Sequence, residues 1–157
     1  MRWMALAGGL TLALDQITKA GVVHLLDLKT RGQIDVLPPF LTFRMAWNRG
    51  VNFGLGASDH DVMRWVLIGV ALIISALLIW WARRDGFGRA AQIFAGLLVG
   101  GAIGNVIDRV LYGAVADFLN MSCCGIVNPW SFNVADIGVF LGAVGLALFS
   151  GTGKSGQ

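Results

Sequence analysis

The sequence predicts a mainly α membrane protein, with four transmembrane helices and a small β-structure on its outer face. Two observations predict it. Of 157 residues, 56% are hydrophobic and 13% charged, about half the ~25% charged share of a soluble domain, and the mean hydropathy is +0.71. The apolar residues also gather into four stretches near the ~20 residues that cross a hydrocarbon core. Most of the surface therefore faces something other than water, which excludes an ordinary cytosolic enzyme and a disordered chain. The net charge is only +3 and no basic stripe follows one face, so no nucleic-acid partner is expected. The two cysteines, adjacent at Cys123 and Cys124, cannot staple a disulfide scaffold. The chain reads as one membrane domain over residues 1–157, and as a monomer.

The first stretch, Trp3 to Leu26, holds only Asp15 and Lys19 as charges, plus His24. It is expected to be a retained span rather than a cleaved signal peptide, because its apolar run continues past Asp15 and no A-x-A-like site follows. Segment 27–61 comes next. Its run Ile34 to Trp47 contains Leu37-Pro38-Pro39 and then a stretch rich in strand formers, read as the outer β-structure. Asn48 to Gly56 has the Gly and Asn content of turns. The second span covers 62–82, with Trp65 to Ala82 free of charge. The third covers 90–110 and the fourth 132–150, separated by the outer segment 111–131. Arg2, Arg83, Arg84, Arg89 and Lys154 flank the inner ends, which places both termini inside. Trp65, Trp80, Trp81 and Trp130 lie near the expected interfaces. Gly96, Gly100 and Gly104 in span 3, and Gly138 and Gly142 in span 4, recur every four residues, the spacing that lets helix backbones approach closely.

Polar residues within such spans cost free energy, about +2.5 to +3.5 kcal/mol for a charge at the bilayer centre. Asp15 and Lys19, at i and i+4, share one face of span 1 and read as an ion pair or as support for a polar site. Asn105, Asp108 and Arg109 form one polar face at the outer end of span 3, where Asp108 and Arg109 also suit simple boundary charges. Gly113 follows as a helix breaker. Asp117 lies among Val115, Ala116, Phe118 and Leu119, where desolvation raises a carboxyl pKa. Asn133 and Asp136, at i and i+3, point to one face at the start of span 4; Asp136 sits a turn inside the apolar pattern, which suits helix capping poorly. Gly125, Asn128 and Pro129 let the chain reverse between Asp117 and Asp136, so both fall near the outer interface. Two close carboxylates share a proton, one acting as base on water and the other as acid, as in aspartic proteases. His24 and His60 have no metal-ligand spacing to the cysteines, so neither metal nor cofactor is expected. Ser122 has no neighbouring His or Lys to activate it.

These residues fall in a pattern that resembles one family, the lipoprotein signal peptidases (signal peptidase II), over nearly the whole chain. Asp15-Gln16-Ile17-Thr18-Lys19 resembles the family's D-Q-x-S/T-K, and Asn48 to Gly54 its N-x-G-x-x-F-G. Gly104 to Arg109 resembles G-N-x-x-D-R, Gly113 to Phe118 G-x-V-x-D-F, and Phe132 to Asp136 F-N-x-A-D. The resemblance implies an aspartic endopeptidase of the bacterial inner membrane. Such enzymes remove the signal peptide of diacylglyceryl-modified prolipoproteins, cutting just before the lipidated Cys. It implies Asp117 and Asp136 as the catalytic pair, near the periplasmic face. It implies Asn48, Gly50, Asn105, Asp108, Arg109 and Asn133 as substrate contacts or site support, with Asp15 and Lys19 behind them. The partners it implies are the diacylated substrate and membrane lipids. Small residues often follow the Gly of the second motif; here Val51 and Asn52 stand there, which bears on the shape of the lipid or peptide groove.

Two other classes compete. A proton-coupled transporter needs polar stations across the whole membrane, whereas the polar residues here cluster at the outer end. A membrane scaffold built on the glycine-rich helices gives no reason for the Asp pair.

Overall fold

The computed structural model describes residues 1–50, 59–123, 125 and 128–150, the side chains of residues 59 and 60 excepted. The chain runs as α1 (Arg2–Lys19), a π-helical turn (Ala20–Leu25), α2 (Leu28–Arg31), β1 (Gln33–Leu37), β2 (Leu41–Asn48), α3 (Asp59–Arg84), α4 (Arg89–Tyr112), β3 (Val115–Met121) and α5 (Val134–Phe149). It is mainly helical, with one small sheet. Among the described residues, two helical stretches, Asp61–Arg84 and Arg89–Tyr112, are long and apolar enough to cross a membrane, with mean hydropathies of 2.5 and 1.7. Val66, Val70, Ile73, Ile74 and Leu77 of α3 stand exposed, an arrangement that suits a lipid-facing helix.

Helix α4 is central and packs against α1, α3 and α5. Glycines make that possible, as their spacing predicts. A Cβ at Gly100 would strike the backbone of Gly8 in α1, with Gly8 Cα at 2.9 Å. A Cβ at Gly142 of α5 would lie 2.6 Å from the Leu98 amide nitrogen of α4. Each close approach depends on the missing side chain. Gly113, at φ +75°, closes α4 with its N–H on Arg109 O, a left-handed cap that glycine adopts at little cost.

The sheet has the order β1-β2-β3, antiparallel throughout. Strands β1 and β2 fall on the run of strand formers read as β-structure from the sequence. Strand β3 is not anticipated by the sequence reading, which leaves 111–131 as a connecting segment. The physical reason is its burial: Val115, Ala116, Asp117 and Phe118 are all buried, so the alternation that betrays a half-exposed strand is missing. Phe118 and Val23, with Leu28, Ala116 and Val22, form a small core between the sheet and the π-helical turn.

Helix α5 begins two residues after the expected start of the fourth span. Phe132 is held in a bridge with Leu119 of β3, donating its N–H to Leu119 O at 2.9 Å and accepting the Leu119 N–H at 2.8 Å. That bridge fixes the start of α5 beside the strand that carries Asp117.

Candidate active site

Helix α1 brings Asp15 and Lys19 to its buried face, 0% and 5% exposed. Lys19 Nζ lies 2.8 Å from Asp15 Oδ2 and 2.7 Å from Asp108 Oδ2. The expected pair is therefore a triad. Asp108, 1% exposed, is not a boundary charge; its carboxylate faces inward because Lys19 neutralises it there. Gln16 joins them, its Nε2 donating to Asp15 Oδ2 at 3.0 Å and to Asp108 Oδ1 at 3.3 Å. Sequence reasoning gives Gln16 no role, although it stands between Asp15 and Lys19 in the quoted motif. A glutamine between two residues that must be buried was the available signal.

Asn133 and Asp136 form the reciprocal cap of α5. Asn133 Oδ1 accepts the Asp136 N–H at 2.9 Å, and Asp136 Oδ2 accepts the Asn133 N–H at 3.2 Å. The expectation that capping suits Asp136 poorly is wrong: helix begins only at Val134, so Asp136 is the third helical residue, where a capping-box carboxylate belongs. Asp136 also accepts from Asn105 Nδ2 at 2.8 Å, which leaves it held but only partly buried.

Asp117 enters from β3, paired in register with Ala46 of β2. Two residues along β2, Asn48 faces the same side and donates from Nδ2 to Asp117 Oδ2 at 3.1 Å. The Gly50 N–H donates to Asn48 Oδ1 at 3.0 Å, so Gly50 acts by orienting Asn48. Asn133, 0% exposed, donates from Nδ2 to Asp117 Oδ1 at 2.6 Å and to Asn105 Oδ1 at 3.2 Å. One chain of side-chain amides thus runs Asp117–Asn133–Asn105–Asp136. Burial pushes the Asp117 carboxyl up to about 7, and the nearby charge of Asp136 adds to that, against the opposing hydrogen bonds from Asn48 and Asn133 and the charge of Lys19. A carboxyl that keeps its proton near neutrality beside a second carboxylate is equipped for acid–base chemistry.

Arg109 does not hold Asp108, one of three roles open to it from sequence. Its Nη1 donates to Asn105 O at 3.3 Å, and the charges of Asp117, Asp136 and Asp108 all act on it. All the expected site residues gather at one end of the helices. Val51 and Asn52 lie outside the described residues, as does Cys124.

Fold and site together give a helical protein, two of whose described helices are suited to a membrane, with two carboxylates joined through side-chain amides. Two solved structures, each described as a bacterial membrane enzyme determined by the in meso method, share that architecture. One aligns with a TM-score of 0.78 at 26% identity, over 96% of this chain and 94% of that one. The other gives 0.74 at 27% identity, over 98% and 92%. The family model for signal peptidase (SPase) II matches residues 8–151. The chain is 46% identical to the lipoprotein signal peptidase of Methylobacterium sp. over 139 residues, 87% of this chain and 81% of the relative. It is 38% identical to that of Rhodopseudomonas palustris over 150 residues, 93% and 90%. The chain belongs to the signal peptidase II family, and membership makes it a protease with a membrane location.

Proposed function

We propose that this protein is an aspartic endopeptidase that removes the signal peptide from diacylglyceryl-modified prolipoproteins, cutting just before the lipidated cysteine. The observation that carries the reading is the amide-linked pair of Asp117 and Asp136, with Asp117 still protonated near neutrality. In this reading the more open Asp136 takes a proton from water as its oxygen attacks the scissile carbonyl carbon. Asp117, 3% exposed, gives its proton to the carbonyl oxygen. The resulting diol collapses: one hydroxyl returns a proton to Asp117, Asp136 protonates the leaving nitrogen, and the C–N bond breaks. Asn48, Asn105 and Asn133 hold the two carboxylates, and Arg109 supplies positive charge beside both. The test is purified protein in detergent with a diacylated prolipoprotein: signal-peptide release is expected, and no release, or equal cleavage of the unlipidated precursor, counts against it.

The same reading places α1, α3, α4 and α5 across the bacterial inner membrane, with both termini cytoplasmic and the sheet at the periplasmic face. The charge distribution supports it. Arg2, Arg83, Arg84 and Arg89 sit at the helix ends opposite the carboxylate site, the side that positive residues favour. A cytoplasmic reporter fused after Ser150 is expected to be active; periplasmic reporter activity there overturns the topology.

A further inference from the structure

The triad of Asp15, Lys19 and Asp108 makes no hydrogen bond to the side chain of Asp117 or Asp136. Each of its carboxylates instead holds the backbone amide just before one of them. Asp108 Oδ2 accepts the Ala116 N–H at 3.1 Å, one residue ahead of Asp117. Asp15 Oδ1 accepts the Ala135 N–H at 2.9 Å, one residue ahead of Asp136. Lys19 Nζ joins the two carboxylates at 2.8 and 2.7 Å. Ala116 and Ala135 are 2% and 0% exposed, so no bulk water substitutes for either clamp.

We propose that this ion triad sets the separation of Asp117 and Asp136, with Lys19 as the positioning residue that ties the strand bearing one to the helix bearing the other. The proposal rests on the reading of those two residues as the catalytic pair. Neutralising Lys19 alone requires one carboxylate; the second leaves a net negative charge in a buried place, where charge is costly. A purely neutralising cluster has no use for it, whereas a two-armed clamp needs both. The Leu119–Phe132 bridge ties β3 to the chain just before α5, and the triad adds a second tie between the strand and the helix. The side-chain amides between Asp117 and Asp136 orient the two carboxyl groups, and a restraint on both backbones fixes how far apart the strand and the helix that carry them stand. Gly104 leaves room for the clamp: a Cβ there would lie 2.6 Å from Asp15 Oδ2 and 3.4 Å from the Ala135 Cβ.

The test compares Gly104→Ala, Asp15→Asn and Asp108→Asn with the parent, as full chains in detergent acting on a diacylated prolipoprotein. Gly104→Ala is the decisive variant, because it displaces Asp15 while leaving every charge in place. The two Asn variants keep an acceptor for the backbone N–H but each lose one ion pair with Lys19, which detaches that arm of the clamp and leaves one carboxylate on Lys19. The expected result is a fall in kcat of about 10²-fold, the scale of a 1 Å misplacement, with KM within about twofold of the parent. The two limbs of the kcat–pH profile move toward one another, because carboxylates free to relax apart are less strongly coupled. In Gly104→Ala that movement cannot come from altered charge on Lys19, Arg109, Asp15 or Asp108, the groups that face the pair from α1 and α4. Parent kcat, or a loss carried by KM with the parent's limb spacing, overturns the proposal. Collapse of the thermal melt in all three variants also overturns it, showing an ion cluster needed only for folding. Asp117→Asn and Asp136→Asn run alongside: if either retains turnover, the catalytic pair itself is wrong, whatever the triad variants do.

Discussion

Asp117→Asn and Asp136→Asn are each expected to abolish signal-peptide release, and the double variant to be little worse than either. Asparagine keeps the size of aspartate and can hydrogen-bond, but it cannot exchange a proton at working pH. General acid–base contributions are typically ~10²–10⁴-fold, and loss of a shared-proton pair falls at the high end or beyond. The effects do not add, because each carboxylate works only through the other. The parent's pH profile carries a second mark of the pair. Asp117 holds its proton to about pH 7, so turnover that needs that proton is present below this value and is lost as pH rises through it. The sign for stability follows from the same shift. The folded carboxyl titrates near 7 and the unfolded one near 3.8, so between those values the folded state binds more protons and this group lowers stability as pH rises. Asp117→Asn lacks that slope, and its melt stays near the parent's at low pH and rises relative to it toward pH 8. Cleavage of a diacylated prolipoprotein by the purified variants, with melts across pH, checks all of this. Substantial turnover in either single variant sinks the assignment.

Composition announces the helices, because a chain with so few charges has little choice but to face lipid with most of its surface. The glycine spacing announces how α4 meets α1 and α5, because only a missing side chain allows such contact. Both signals are local. The β3 strand is illegible for the opposite reason: its residues are buried on both faces, and the partner that makes it a strand, β2, lies about seventy residues earlier. The site shows the same division. Asp117, Asp136 and the amides between them stand out as polar residues in apolar surroundings. The capping role of Asp136 depends on Phe132 being drawn into the sheet, which no window of sequence around it reports. The two clamps on Ala116 and Ala135 are hidden more deeply, since the groups held are backbone amides that every residue but proline carries.

Loss of Asn133 is likewise expected to be severe, and its two roles separate experimentally. Its side chain caps α5 through Oδ1 and holds Asp117 through Nδ2 at 2.6 Å. Asn133→Ala removes both. Loss of the cap costs about 1 kcal/mol of stability, visible as a lowered melt. Loss of the donor leaves Asp117 Oδ1 without its shortest hydrogen bond and leaves Asn105 free to turn away from Asp136, at a cost of about 10²–10³-fold in kcat, the scale set by removing one preorganised donor. Asn133→Ser distinguishes the roles. Serine caps a helix about as well as asparagine, but its hydroxyl is too short to reach Asp117 and Asn105 as the amide does. The serine variant is therefore expected to recover the parent's melt and to remain as slow as the alanine variant. If serine restores turnover together with the melt, Asn133 acts only as a cap and Asp117 is held well enough by Asn48. If alanine leaves turnover intact, the amide chain between the two carboxylates has no part in the reaction, and Asp117 and Asp136 communicate through space alone.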